Sequence, residues 1–141
     1  MIESSVQFEP NWLSPPGDTI ADLLEEKGWS QTEFAQRTGY TPKHVNQLIR
    51  GKAPISEETA LRLERVLGST ARFWLKRESE YRETLARRAE QDALGLESAW
   101  LAELPLKEMV RLRWVHDLGS NVAAQVAECL SFFGVATVAA W

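Results

Sequence analysis

The stretch that decides the fold is SQTEFAQRTGYTPKHVNQLIRGK, residues 30–52. It opens on Ser30-Gln31-Thr32-Glu33, a capping box: the Ser30 side chain accepts from the third helical amide, and Glu33 reaches back to the Ser30 amide. The helix that follows runs to Thr38 and stops at Gly39, where glycine permits a positive φ. Thr41-Pro42 then supplies a second N-cap, with proline at a first helical position where its missing N–H costs nothing. This second helix runs on to Gly51. Val45 and Leu48 turn inward across from Phe34 and Ala35, and the small Ala35 lets the two helices come close. Lys43, His44, Gln47 and Arg50 are left facing out. Two short helices joined by a turn are the geometry that lets one of them enter a major groove. On spacing alone the pattern also fits an ordinary helical hairpin with a solvated polar face.

Further helices flank this pair. Residues 17–27 (GDTIADLLEEK) place Ile20, Leu23, Leu24 and Lys27 at helical spacing, and Gly28 ends them. Ser56 caps a fourth helix, with Glu57 and Glu58 in its first turn and Gly68 at its end. Thr70 caps a fifth, carrying Phe73, Trp74 and Leu75. The start, up to Pro15-Pro16, reads as an extended arm. Trp29 and Trp74 read as packing residues, because aromatics at helix ends usually bury area.

The composition bounds the function. With 141 residues, 44% hydrophobic and 26% charged, the chain is globular, one domain or a small domain with a helical appendage. No apolar run near 18 residues stands out, which argues against a membrane span, and no secretory signal is visible at the start. The single Cys129, and His44 far from His116, leave no internal disulfide and no Cys/His-rich metal site, so neither metal nor cofactor is expected. There is no phosphate-binding or dinucleotide glycine pattern, and Cys129 has no histidine nearby, so no enzyme class is supported. A reducing, cytoplasmic setting follows. The net charge is −4, yet residues 27–52 carry +4 and the remainder therefore −8. A local basic segment in an acidic chain fits a protein that touches phosphates with one face only.

The second half differs in character. Residues 76–92 are charge-rich, pair Glu78 with Arg82 and Glu83 with Arg87 at i,i+4, and read as a solvated helix that includes Arg87-Arg88. Residues 105–115 put Leu106, Met109, Val110 and Trp114 near helical spacing, and residues 120–133 put Val122, Val126, Cys129 or Leu130, and Phe133 on one side. The best short strand candidate is Val135–Val138. The expected fold is all-α: a five-helix helix-turn-helix domain with its arm over residues 1–76, then a helical extension over 77–141 for dimerisation or linkage. Residues 96–141 hold too much apolar surface to leave wet. They pack on the first domain, form a subunit interface, or complete the monomer's core.

The deciding stretch resembles the helix-turn-helix of the phage-repressor-like (Xre) family, in its Ser-Gln-x-Glu-hydrophobic-Ala, Gly, Val-x-x-Leu and Gly-Lys positions. PPGDTIADLLEEKGWSQTEFAQRTGY together with GKAPISEETALRLERVLGSTARFWLKRESEYR is similar to the HigA-type antitoxin branch, over residues 15–88. The resemblance implies a cytoplasmic bacterial DNA-binding regulator, dimeric, that represses its own promoter through a double-stranded operator. It also implies a small basic ribonuclease toxin as partner, which an acidic chain suits. By position it implies that Gln31 holds a phosphate at a helix N-terminus. Thr41, Lys43, His44 and Gln47 read base edges or adjacent phosphates, with Gln47 suited to adenine and Lys43 to guanine. Pro42 takes a base-facing position where it can touch only a thymine methyl, and Arg50 and Lys52 hold the backbone. Gln31 also fits a solvated first-turn residue, Lys43 and Gln47 also fit contacts to phosphate or water alone, and His44 fits an exposed histidine without a partner equally well.

The segment LPLKEMVRLRWV…ECLSFFGVATVAAW resembles the piece that joins an Xre-type helix-turn-helix to an ImmA/IrrE-like metallopeptidase domain in longer regulators. That peptidase needs a helical His-Glu-x-x-His, which this sequence lacks. On this alternative the chain, ending on the apolar ATVAAW, is the DNA-binding portion of a longer protein.

Overall fold

Pro15 and Pro16 fix where the first helix begins. In the computed structural model, which describes residues 14–141, α1 (Pro16–Lys27) starts on a proline and ends at Gly28 with φ 73°. The extended arm expected before Pro16 falls, for residues 1–13, outside the described residues. Helix α2 (Gln31–Thr38) is capped by Ser30, whose Oγ accepts from the Glu33 amide at 3.1 Å. Only half of the expected capping box forms. Glu33 does not turn back to the Ser30 amide; its carboxylate takes the Arg37 Nε–H one turn ahead at 2.8 Å, where both partners carry charge.

Helix α3 (Pro42–Ile49) is capped by Thr41, which accepts from the His44 amide at 3.1 Å. It stops at Ile49, short of the expected Gly51, because the Gln47 carbonyl receives both the Lys52 and Ala53 amides as the chain turns. Helix α4 (Glu57–Leu67) is capped by Ser56 and ends at Gly68 with φ 95°. Helix α5 (Ala71–Leu94) starts under a Thr70 cap and runs 24 residues without a break. It fuses the expected fifth helix with the charged run after it.

The apolar positions of α1 to α4 and the start of α5 converge on one core. Ile20, Phe34, Val45 and Leu63 and the Trp74 indole are completely buried there, and each such aliphatic or Phe side chain contributes about 1.5–3 kcal/mol relative to exposure. The charged run is not wholly solvated, contrary to expectation. Glu78 is buried and pairs with Arg82 at 2.6 Å. Arg77 donates to the carbonyls of Ser14 and Pro15 and to the Thr19 hydroxyl at 3.0–3.2 Å.

By its contacts the chain divides into two compact units, with the division between Leu85 and Ala86, inside α5. The second unit has a core of its own. Helices α6 (Ser98–Ala102), α7 (Leu106–Arg111) and α8 (Val122–Phe133) enclose Trp100, Met109, Val126 and Cys129. The apolar residues of this region therefore find cover mostly in each other. Helix α7 ends four residues earlier than its spacing suggests: Arg113 adopts φ 63°, and its amide and that of Trp114 return to Val110 and Met109. Trp114 accordingly leaves the helix, half exposed, and stacks on Phe132 at 5.4 Å between ring centres. Burial pushes the Cys129 thiol above its ordinary pKa.

The described residues are all-α as expected, and Val135–Val138, the best short strand candidate, forms no strand. Phe133 is followed by Gly134 at φ 71°, and Val138–Ala140 make a short 3-10 turn capped by Thr137. No strand occurs among the described residues. Contrary to the expectation of no such run, residues 122–140 form a 19-residue stretch long and apolar enough, by composition, to cross a membrane. The α-helical part, however, is 12 residues, or about 18 Å at 1.5 Å per residue, short of a hydrocarbon core of about 30 Å. It also buries Gln125 beside Val126, Cys129 and Leu130.

Candidate nucleic-acid interface

Helix α3 is held from both sides. Inward, Val45 is 0% exposed and Leu48 is 1% exposed, packed with Phe34 and Ala35 of α2. Along its last turn, α1 presses on the backbone. A Cβ on Gly17 would sit 2.0 Å from the Ile49 carbonyl oxygen, so only glycine permits the approach. Beyond that turn, Arg82 donates to the Gly51 carbonyl at 2.9 Å, and a Cβ on Gly51 would lie 2.7 Å from the Pro15 ring. Gly51 needs its freedom for a second reason, a φ of 76°. Gly17 and Arg82 were not among the sequence candidates. A glycine inside a helical pattern beside a proline was the available signal for the first; nothing local marks the second.

The outer face of α3 is then fixed in direction. Thr41, Pro42, Lys43 and Arg50 are exposed, and Lys52 follows just beyond, also exposed. No carboxylate pairs with Lys43, Arg50 or Lys52 among the described residues. Gln47 is half-buried, with its carbonyl committed to the turn. His44 is half-buried as well: its ring meets the Tyr40 ring edge-on at 4.5 Å, so the side chain is oriented rather than free. Tyr40 is fixed in turn by a 3.0 Å bond between its hydroxyl and Thr59. Asn46, absent from the sequence candidates, is exposed and shares a helical face with Lys43 and Arg50.

Gln31 stands exposed at the first position of α2. The first amides of a helix have no intrahelical partner and carry the positive end of its dipole. Ser30 occupies only the Glu33 amide, which leaves the end of α2 open to an anion. The structure thus brings Thr41, Pro42, Lys43, His44 and Gln47 onto one eight-residue helix, Arg50 to its C-cap and Lys52 to the loop after it, while Gln31 opens the preceding helix.

A helix-turn-helix family model matches residues 20–74, which spans the ordered set α1 to the start of α5. An HTH-type transcriptional regulator of Escherichia coli, YddM, is 38% identical over 60 residues, 43% of this chain; the chain spans 64% of that relative's length. Among solved structures, the Pseudomonas aeruginosa antitoxin HigA with the higBA promoter is 29% identical, with a TM-score of 0.53 over 56% of this chain and 87% of the other. The Pseudomonas aeruginosa protein PA4674 in complex with its 28 bp operator DNA is 30% identical, with a TM-score of 0.53 over 57% of this chain and 89% of the other. Residues 20–74 are thus a helix-turn-helix domain of the Xre family, and HigA-type antitoxins are among its structural neighbours.

Proposed function

We propose that the chain is a sequence-specific DNA-binding regulator of the HigA-like antitoxin type, a cytoplasmic autorepressor that meets its operator as a homodimer. The observation that carries this reading is the outer face of α3: unpaired cations and amide side chains on a short helix pinned by Val45, Leu48 and Gly17. Neighbours of the same build, solved with promoter or operator DNA, support it. Lys43, Gln47 and Asn46 read base edges, Pro42 offers apolar contact to a thymine methyl, and Thr41 and His44 border them. The Gln31 end of α2, Arg50 and Lys52 hold phosphates and set the register. Two such helices, one per copy, match successive major-groove faces about 34 Å apart. A small basic toxin is the protein partner this type of regulator neutralises, and we assign the chain no catalytic activity.

The test is a competition gel shift on the promoter fragment upstream of the protein's own gene. Lys43→Ala with Gln47→Ala relaxes the preference for that fragment over scrambled DNA by about 1–3 kcal/mol per lost base contact. Arg50→Ala weakens all sequences about equally. An unchanged operator preference in the double variant overturns the assigned reading face.

A further inference from the structure

Beside the recognition face, and not part of it, lies a hollow of about 260 Å³ lined by Arg37, Thr38, Arg62, Arg65 and Val66. No carboxylate lines it. Two of its guanidinium groups are set in place by aromatic faces: Arg37 lies over the Trp29 ring at 4.1 Å and Arg62 over the Tyr40 ring at 4.7 Å. Each is also tethered at one side. Arg37 uses its Nε–H on Glu33, at 2.8 Å, and keeps both terminal nitrogens unengaged. Arg62 donates one terminal nitrogen to the Thr38 carbonyl at 2.7 Å and the other to Glu58 at 3.2 Å. Arg65 pairs with nothing among the described residues. A Cβ on Gly39 would lie 3.3 Å from the Arg62 guanidinium, so the glycine of the turn also makes room for it.

Holding guanidinium groups in place before a ligand arrives removes much of the ordering cost of binding one. Several forks converging on one hollow suit a tetrahedral anion, which accepts hydrogen bonds in many directions, better than a planar carboxylate, which one fork satisfies. We propose that the Arg37–Arg62–Arg65 hollow is a phosphate-binding site. The phosphate is either free in solution or belongs to the backbone of the bound nucleic acid; only the second source rests on the DNA-binding reading above.

Both sources are read on the full chain. In the first arm, inorganic phosphate is titrated at constant ionic strength while the Nε–H signals of Arg37 and Arg65 are followed by NMR. Saturable shifts confined to these residues, weakened at least ten-fold by Arg65→Ala, support a free-phosphate site. Arg65 is exposed and unpaired, so that variant keeps its fold, which an unchanged thermal midpoint verifies. In the second arm, the slope of log affinity for promoter DNA against log salt is compared between wild type and Arg65→Ala. A slope shallower by about two, one lost contact in each copy of the homodimer, assigns the phosphate to DNA. Non-saturating shifts together with an unchanged slope overturn the proposal. Failure of the protein to bind DNA at all overturns the earlier reading while leaving the first arm to decide this one.

Discussion

Gly17 shows how much one missing methyl group carries. Alanine is the better helix former by about 1 kcal/mol, so propensity favours Gly17→Ala. The added carbon, however, falls 2.0 Å from the Ile49 carbonyl oxygen, which is backbone and cannot rotate away. The clash wins, and we expect a net loss of about 1–3 kcal/mol, read as a lower urea midpoint, together with weaker DNA binding because the last turn of α3 is displaced. A midpoint equal to wild type refutes the contact. Arg113 is the converse case. It holds φ 63° with a side chain that disfavours it. Arg113→Gly relieves that strain at some cost in unfolded-state entropy, and a gain of about 0.5–1 kcal/mol is expected in thermal unfolding of the second unit. A loss shows that the Arg113 side chain contributes more than its backbone costs.

Among elements, α8 does more than fill a core: two of its side chains hold the preceding segment. Glu128 accepts from the His116 amide at 2.7 Å and from its ring Nδ1 at 2.6 Å. Gln125 accepts from the Leu118 amide and donates to the His116 carbonyl. The bond from the His116 amide, and next the one from its ring, hold the Glu128 carboxyl below its ordinary pKa. A carboxylate with a depressed folded-state pKa stabilises fully above its unfolded value, and that contribution disappears as pH falls through the folded one. Acid titration should therefore loosen the 112–121 segment below the ordinary carboxylate range, and Glu128→Gln should lose this pH dependence. If wild type and variant keep the same acid profile, the latch is not formed. None of this was legible in the sequence, because the partners lie 7 to 12 residues apart with no shared motif. Helix starts were legible, because Ser30, Thr41, Ser56 and Thr70 act on amides three residues away. The outward set on α3 was legible too, since burial of Val45 and Leu48 fixes the rest of the helix by geometry. The unbroken course of α5 was not: Arg77 and Arg82 anchor the charged run on backbone carbonyls far away in sequence, and carbonyls carry no sequence signature. Helix α7 ended early without a glycine, so no residue announced the stop.

At the level of the whole molecule, the charge is divided in a way that dictates how nucleic acid binding responds to salt. The chain is −4 overall, with +4 concentrated in residues 27–52. Part of that excess lies off α3: Arg37 pairs through its Nε–H with Glu33, and Lys27 lies 5.3 Å from the centre of the Trp29 ring. Counted on α3 and the loop after it, and leaving aside any contact from the Arg37–Arg62–Arg65 hollow, the cations facing a duplex on the DNA-binding reading are Lys43, Arg50 and Lys52. A twofold assembly presenting three cations per copy would displace counterions from about six phosphates, for a slope of about −5 in log affinity against log salt. The remainder of the chain, at −8, disfavours DNA away from this basic region, so binding to random sequence should be weak and fall off with a similar slope. Measured by fluorescence anisotropy on the promoter fragment, a slope near −5 that becomes shallower by about two in a homodimer of Lys52→Ala fits this division of charge. A slope near −2.5 indicates one copy per site and removes the twofold assembly, and a slope near zero removes the phosphate contacts altogether.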